Sequence, residues 1–236
     1  MRIQLTPGFV LHERPYRDTS ALLELFTREH GRVGMVARGL RSQKSRLRGE
    51  LQPFSPLLLS WQARGELGTL TGAERQPGGA PLAGDALFSA WYLNELLMRL
   101  LPRHDAHPQL FDAYAAALAR LAEDSGAPAP VLRLFEKRLL QELGYGLVFE
   151  HDVESGEPVR PDCHYDYRLE TGPVRVPPGQ AGGFVFPGTS LLGMAQERFE
   201  DERVQKDAKR LMRAALKLYL GDKPLKTRQV LESLRS

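Results

Sequence analysis

Up to about residue 80, apolar positions come in short runs separated by turn-formers. Phe9-Val10-Leu11 precedes a turn-like Arg14-Pro15-Tyr16-Arg17-Asp18, and an apolar run over 21–27 ends near Gly31. Residues 32–38 alternate charged or small with apolar side chains. Residues 54–61 form another apolar run, interrupted by Pro56, and 67–75 form a fifth candidate. Five short strands at this spacing predict a small barrel or sandwich. Residues 20–28 read equally as a helix, because a short apolar run has no decisive period. Among the aromatic residues of these runs, Phe26 and Phe54 are expected in the core. Tyr16 and Trp61 are open to either core or base stacking.

Gln76-Pro77-Gly78-Gly79-Ala80-Pro81 is the strongest breaker in the chain, and the domain boundary is expected there. Beyond it the period changes to 3.6. Helices are predicted over 82–101, 108–123 and 131–143, the last stopped by Gly144-Tyr145-Gly146. Residues 150–190 hold Pro158, Pro161, Pro173, Pro177, Pro178 and Pro187 and are expected to be irregular or short-stranded. Helix returns over 191–198, strongly over 204–220, and briefly over 226–234. The expected layout is residues 1–80 as a small barrel domain and 81–236 as a mainly α-helical domain containing the 150–190 insertion.

Composition narrows this picture. The 236 residues are 42% hydrophobic and 26% charged, enough apolar material for a packed core. No apolar run is long enough for a membrane helix, and the start lacks a long apolar signal core. The lone Cys163 has no internal disulfide partner, so a reducing cytoplasm is expected.

The net charge of +3 hides segregation. Residues 1–80 carry 12 Lys/Arg against 7 Asp/Glu, and residues 206–236 carry 9 against 3. Residues 81–150 carry 6 against 9, and 151–205 carry 5 against 10. Two basic ends around an acidic middle point to a polyanionic partner.

Catalytic chemistry finds little support. No phosphate loop, dinucleotide fingerprint, zinc-protease motif or nucleophile elbow is present. Ser190 follows a loop and begins a helix. His104 and His107, or Cys163 with His164, supply too few ligands for structural zinc. The acidic run at 197–202 reads as a solvated face. No catalytic residue, metal site or cofactor is expected.

The first positive signal is the stretch 38–48, with Arg38, Arg41, Lys44, Arg46 and Arg48 and no acid. It lies between two predicted strands and should be an exposed connection. Clustered cations there gain affinity by releasing counterions from a phosphate backbone, with Ser42 and Ser45 as further donors. The second signal lies in the 204–220 helix. At 100° per residue, Lys206, Lys209, Arg210, Arg213 and Lys217 fall within an arc of about 100°, opposite Val204, Ala208, Leu211, Met212, Ala215, Leu218 and Tyr219. A solvated face would intersperse Glu, since like charges four apart repel. A third feature is Arg133 and Lys137 beside Leu134 and Leu140. Cations next to exposed apolar side chains would grip a short acidic peptide with a hydrophobic end. A plain amphipathic core helix is the competing reading.

In order along the chain come Val10-Leu11-His12-Glu13-Arg14-Pro15-Tyr16, Phe26-Thr27 with Gly31-Arg32, Val36-Ala37-Arg38-Gly39 and Leu51-Gln52-Pro53-Phe54. Then follow Tyr92-Leu93-Asn94-Glu95-Leu96, Glu142-Leu143-Gly144-Tyr145-Gly146, Ala208-Lys209-Arg210 and Tyr219-Leu220-Gly221-Asp222-Lys223-Pro224-Leu225-Lys226-Thr227-Arg228. This ordered set resembles the RecO family of bacterial recombination mediators. The resemblance implies an α+β multidomain chain, with an N-terminal five-stranded OB-fold barrel followed by a mainly α-helical domain. It implies a non-enzymatic DNA-repair protein that binds single- and double-stranded DNA and anneals complementary strands. Such a protein helps load RecA onto DNA coated by single-strand-binding protein, with RecR as co-mediator and no membrane. It further implies that the acidic, Phe-ending tail of single-strand-binding protein docks on the helical domain, with Arg133 and its neighbours as candidates. Many relatives carry four zinc-ligand cysteines in the region matching 150–190. With Cys163 alone there, no zinc is expected, and that degenerate zinc-finger region must fold by packing alone.

Two other classes fit the residues. One is an RNA-binding OB-fold factor, and the other is a protein-only adaptor whose cations serve acidic partners.

Overall fold

The computed structural model describes residues 2–63, 65, 67–79, 81–123, 128–177 and 184–235. Parts of the breakers at 76–81 and 125–130, and Pro178 of the insertion, lie outside the described residues. By compactness the chain forms two units, 1–126 with 224–236, and 127–223. The breaker at 76–81 falls inside the first unit.

The first unit begins with β1 (Arg2–Tyr16), β2 (Ser20–Thr27), β3 (Gly31–Ala37), the single helical turn α1 (Leu47–Glu50), β4 (Leu57–Gln62) and β5 (Leu67–Arg75). They close a barrel in the order β1-β2-β3-β5-β4. Neighbouring strands are antiparallel except β3 and β5, which pair parallel from Gly34↔Leu67 to Val36↔Thr69. This is the OB arrangement. The 20–28 run is a strand, and its pairing with β3 in unbroken register settles the helix alternative.

Alternate residues fill the barrel: Val10 from β1, Leu23 and Leu25 from β2, Val33 and Met35 from β3, Leu59 and Trp61 from β4. β1 also buries its outer side. Phe9 and Leu11 are as buried as Val10, across a bulge between Val10 and His12. What covers that side is α2 (Gly84–Leu100) and α3 (Pro108–Glu123). Phe9 and Phe26 pack on Phe111 and Tyr114, with ring centroids 5.2–6.0 Å apart. Asn94 Nδ2 donates to the Leu11 carbonyl at 2.9 Å, and the Tyr114 hydroxyl donates to Asn94 Oδ1 at 2.5 Å. Burial pushes the Tyr114 phenol far above its ordinary range, so it remains a donor. Arg28 grips the Asp112 carboxylate with two nitrogens, at 3.0 and 2.9 Å, and Arg103 pairs with Glu24. The β2–β3 turn requires glycine: Gly31 has φ +61°, and a Cβ there would collide with the Asp105 carbonyl. The last helix, α7 (Lys226–Arg235), belongs to this unit as well. Glu95 caps it, accepting from the Lys226 and Thr227 amides at 2.8 and 3.0 Å.

The second unit comprises α4 (Pro128–Glu142), β6 (His164–Arg168), β7 (Gly172–Val176), β8 (Val185–Pro187), α5 (Gly188–Ala195) and α6 (Glu202–Leu220). The strands form a sheet ordered β7-β6-β8. The insertion is not held by packing alone. The buried Asp152 carboxylate accepts from the Glu154 and Ser155 amides at 2.8 and 2.9 Å, and from Arg175 of β7 at 2.7 Å. Burial pushes the Asp152 pKa up, but the donations from Ser155, Arg175 and Glu154 outweigh it and hold it below the ordinary carboxylate value.

Candidate nucleic-acid interface

Between β3 and β4 the chain has to cross the end of the barrel. Leu40 and Leu51 do this by dropping into the barrel core, each under 5% exposed. The residues between them are thereby pushed outward. Gly39, at φ +67°, starts the turn. Ser42 and Ser45 amides donate to the Gly39 and Ser42 carbonyls at 3.1 and 3.2 Å. Arg38, Arg41, Lys44, Arg46 and Arg48 are all exposed. Five cations with no acid among them thus ring one end of the barrel. A cavity of about 470 Å³ lies beside them, lined by Arg41 and Arg48 together with Glu13, Leu40, Leu51, Gln52 and Pro53.

The β1–β2 turn joins this end of the barrel, a feature the residue-by-residue reading missed. The Arg41 amide donates to the Thr19 carbonyl at 2.8 Å, and its guanidinium reaches the Arg17 carbonyl at 3.4 Å. Arg14 at the end of β1 and Arg17 in the turn are exposed, as are Glu13 and Asp18, and Arg17 lies 5.1 Å from the centre of the Tyr16 ring. Arg14 and Arg17 near the end of β1 were the available signal. Strand topology brings that turn to Arg41.

In the second unit, α6 presents Lys206, Lys209, Arg210, Arg213 and Lys217 to solvent. Asp201 caps its start, accepting from the Arg203 and Val204 amides at 2.9 and 3.1 Å, and Gly221 ends it. The buried face is Val204, Ala208, Leu211, Met212, Ala215 and Leu216. Two expected members of that face differ. Leu218 is 49% exposed, and Tyr219 stacks on Tyr145 at 3.7 Å. The buried arc is rotated toward Leu216, because α4 and α5 cover that side. Arg210 also has structural employment. Its guanidinium lies 4.2 Å from the Phe186 ring centre and 4.9 Å from that of Phe184, and it donates to the Val185 carbonyl at 2.7 Å.

The expected peptide cluster on α4 is not an exposed mix of cations and apolar groups. Leu140 is in the core, 1% exposed. Arg133 is 6% exposed and pairs with the fully buried Glu136 at 2.7 Å. Lys137 donates to the Met194 and Ala195 carbonyls, both at 3.1 Å, and pairs with Glu197 at 3.0 Å, closing the end of α5. Leu134 is half-buried. The 3–4 spacing on α4 turned both cations inward, where buried carboxylate and helix-end carbonyls await them. Arg133 Nε and Nη1 find no acceptor among the described residues.

Of the aromatic residues, Phe26 and Trp61 are core, at 0% and 2% exposed. Phe54, expected there too, is half-buried and meets Trp91 edge to face at 4.9 Å. The apolar run expected from residue 54 becomes strand only at Leu57, and Phe54, at φ +64°, lies before it. Among the described residues, no three His, Cys, Asp or Glu side chains are grouped to hold a metal. No described helix is long and apolar enough to cross a membrane.

A closed five-stranded barrel in the order β1-β2-β3-β5-β4, with a cation-rich connection across one end, defines a protein of the OB-barrel class. Residues 1–76 match the family model described as Recombination protein O N terminal, and residues 82–229 match Recombination protein O C terminal. The chain is 48% identical to the DNA repair protein RecO of Dechloromonas aromatica, over 99% of this chain and 97% of that one. It is 48% identical to that of Nitrosococcus oceani, over 100% and 95%, and 49% identical to that of Cupriavidus pinatubonensis, over 99% and 80%. The chain belongs to the RecO family of DNA repair proteins.

Proposed function

We propose that this chain binds single- and double-stranded DNA through phosphate contacts, anneals complementary strands, and helps load RecA onto DNA coated by single-strand-binding protein. The observation that carries the reading is the ring of Arg38, Arg41, Lys44, Arg46 and Arg48, all exposed. Cations that neutralise phosphates let two like-charged strands approach, and base pairing then selects the match. No bond is made or broken, so the protein acts as a mediator rather than an enzyme. Residues 1–80 are the principal DNA-binding segment in this reading, and α6 in the 81–236 segment adds a second set of contacts.

RecR and the acidic, Phe-ending tail of single-strand-binding protein are the proposed partners, and RecA is reached indirectly. Arg133 with Leu134 is the candidate for the tail. Because Arg133 is enclosed beside Glu136, docking there requires local opening of α4, which would give the two guanidinium nitrogens without an acceptor a carboxylate partner. Lys137 and Leu140 serve only as its support. The proposed location is the bacterial cytoplasm, at the nucleoid.

The test is annealing of complementary strands coated by single-strand-binding protein, followed across a salt series. The expected result is acceleration at low salt that fades steeply as salt rises. Absence of acceleration at low salt would overturn the proposal.

A further inference from the structure

A second cavity of the first unit, about 540 Å³, opens where residues 51–56 meet the start of α2. Phe54 and Trp91 line it, half-buried and edge to face at 4.9 Å. Neither ring is enclosed in the core. Phe54 holds a left-handed backbone, at φ +64°, that a phenylalanine seldom adopts. Buried Leu51 and Ser55 on either side pin that conformation, so the ring is held out of the barrel. Such strain persists where surrounding packing enforces it, and it gathers at ligand sites.

Gln52 and Arg75 line this cavity, and Gln52 and Pro53 are shared with the first cavity, which Arg41 and Arg48 line. The common wall joins an aromatic slot to a trough lined by Arg41 and Arg48 with a single acid, Glu13. A ligand that satisfies both is anionic along its length and carries flat rings at intervals. A polynucleotide does this, and the spread of cations over the whole 38–48 stretch suits a continuous polyanion better than a short acidic tail. The volume is ample for one base.

Resting on the nucleic-acid reading above, we infer that the Phe54–Trp91 slot takes one unpaired nucleobase of a strand whose phosphates lie along the Arg41–Arg48 trough. A base inside a duplex is stacked on both faces and cannot enter without being extruded. The slot therefore gives the barrel a preference for single strands that the cations alone do not supply. Stacking on an aromatic face is tolerant of sequence.

The experiment uses the full chain and two polymers of equal length, oligothymidine and an abasic strand with the same phosphates. Trp61 is buried in the barrel, so Trp91 reports the slot by fluorescence. Oligothymidine is expected to quench Trp91 and to bind about tenfold more tightly than the abasic strand. Trp91→Leu and Phe54→Leu are each expected to bring oligothymidine down toward the abasic affinity, with the salt slope unchanged. Equal affinity of the unmodified chain for the two polymers, without quenching, overturns the slot while leaving phosphate binding intact. Quenching by an acidic Phe-ending peptide but not by oligothymidine overturns it in favour of a protein partner. If neither polymer binds, the nucleic-acid reading itself falls. The comparison of polymers on the unmodified chain needs no variant to fold.

Discussion

The 38–48 loop and the α6 stripe each carry five cations, yet they are held in opposite ways. The loop is pinned at its ends by Leu40 and Leu51, and the backbone between them has few hydrogen bonds. Leu47 packs against the barrel core, and Arg41 is tied to the β1–β2 turn, while Arg38, Lys44, Arg46 and Arg48 are exposed. The α6 stripe rides on a rigid helix whose other face is core, and Arg210 is seated on two aromatic rings. A loop can shape itself to a phosphate chain. A straight helix meets it only where their spacings coincide. Equal numbers of cations therefore do not imply equal contributions to binding.

The largest expected effect is on the loop. Replacing Arg41, Lys44 and Arg46 together by Ala should weaken single-strand binding and lower the slope of log affinity against log salt by about 2, at roughly 0.7 for each phosphate no longer neutralised. The measurement is a binding titration across a salt series. Melting should be nearly unchanged, because exposed charges contribute little to stability. A slope identical to that of the unaltered chain would remove the loop from the interface.

Next in size is the outward part of the stripe. Lys206→Gln, Arg213→Gln and Lys217→Gln together should lower the same slope by about 1, since a rigid face keeps fewer phosphates in reach. A change as large as that of the loop variant would erase the contrast between the two clusters. No change at all would make α6 a solvated face.

The contrast was only partly legible in the sequence. α3 spans Pro108–Glu123 as expected, because a proline start and an Ala/Leu run admit no other period. The cationic face of α6 was equally plain from the 100° wheel. β1 was expected from Phe9 onward but runs from Arg2 to Tyr16. Phe9 and Leu11 break its alternation because α2 and α3 cover the outside of the barrel, a tertiary fact with no local signature. Arg133 and Lys137 looked like surface charges, since few charged residues are buried. Their partners, Glu136 and the end of α5, become partners only once α4 is packed. The left-handed backbone of Phe54 belongs to the crossing of the barrel end, and side-chain type does not announce it.

The smallest effect separates the two kinds of cation most sharply, because it divides the stripe itself. Arg210 spans Phe184 and Phe186 and donates to the Val185 carbonyl at 2.7 Å. Arg210→Ala removes a cation–π interaction worth about 1 kcal/mol at an exposed site. The carbonyl can turn to water, so its release adds little. For a chain of this size, that stability change lowers the melting temperature by about 2–4 °C. The salt slope should hardly move, because the guanidinium is already engaged. Arg213→Ala should do the reverse, moving the slope while the melting temperature stays put. Arg210→Lys should behave like the Ala variant, since an ammonium lacks the flat face that lies against the rings. Thermal melting beside a salt titration on these three variants decides the matter. If Arg210→Ala leaves melting alone and flattens the slope as Arg213→Ala does, the aromatic seat does not hold Arg210. The stripe would then be as free to follow phosphates as the loop is.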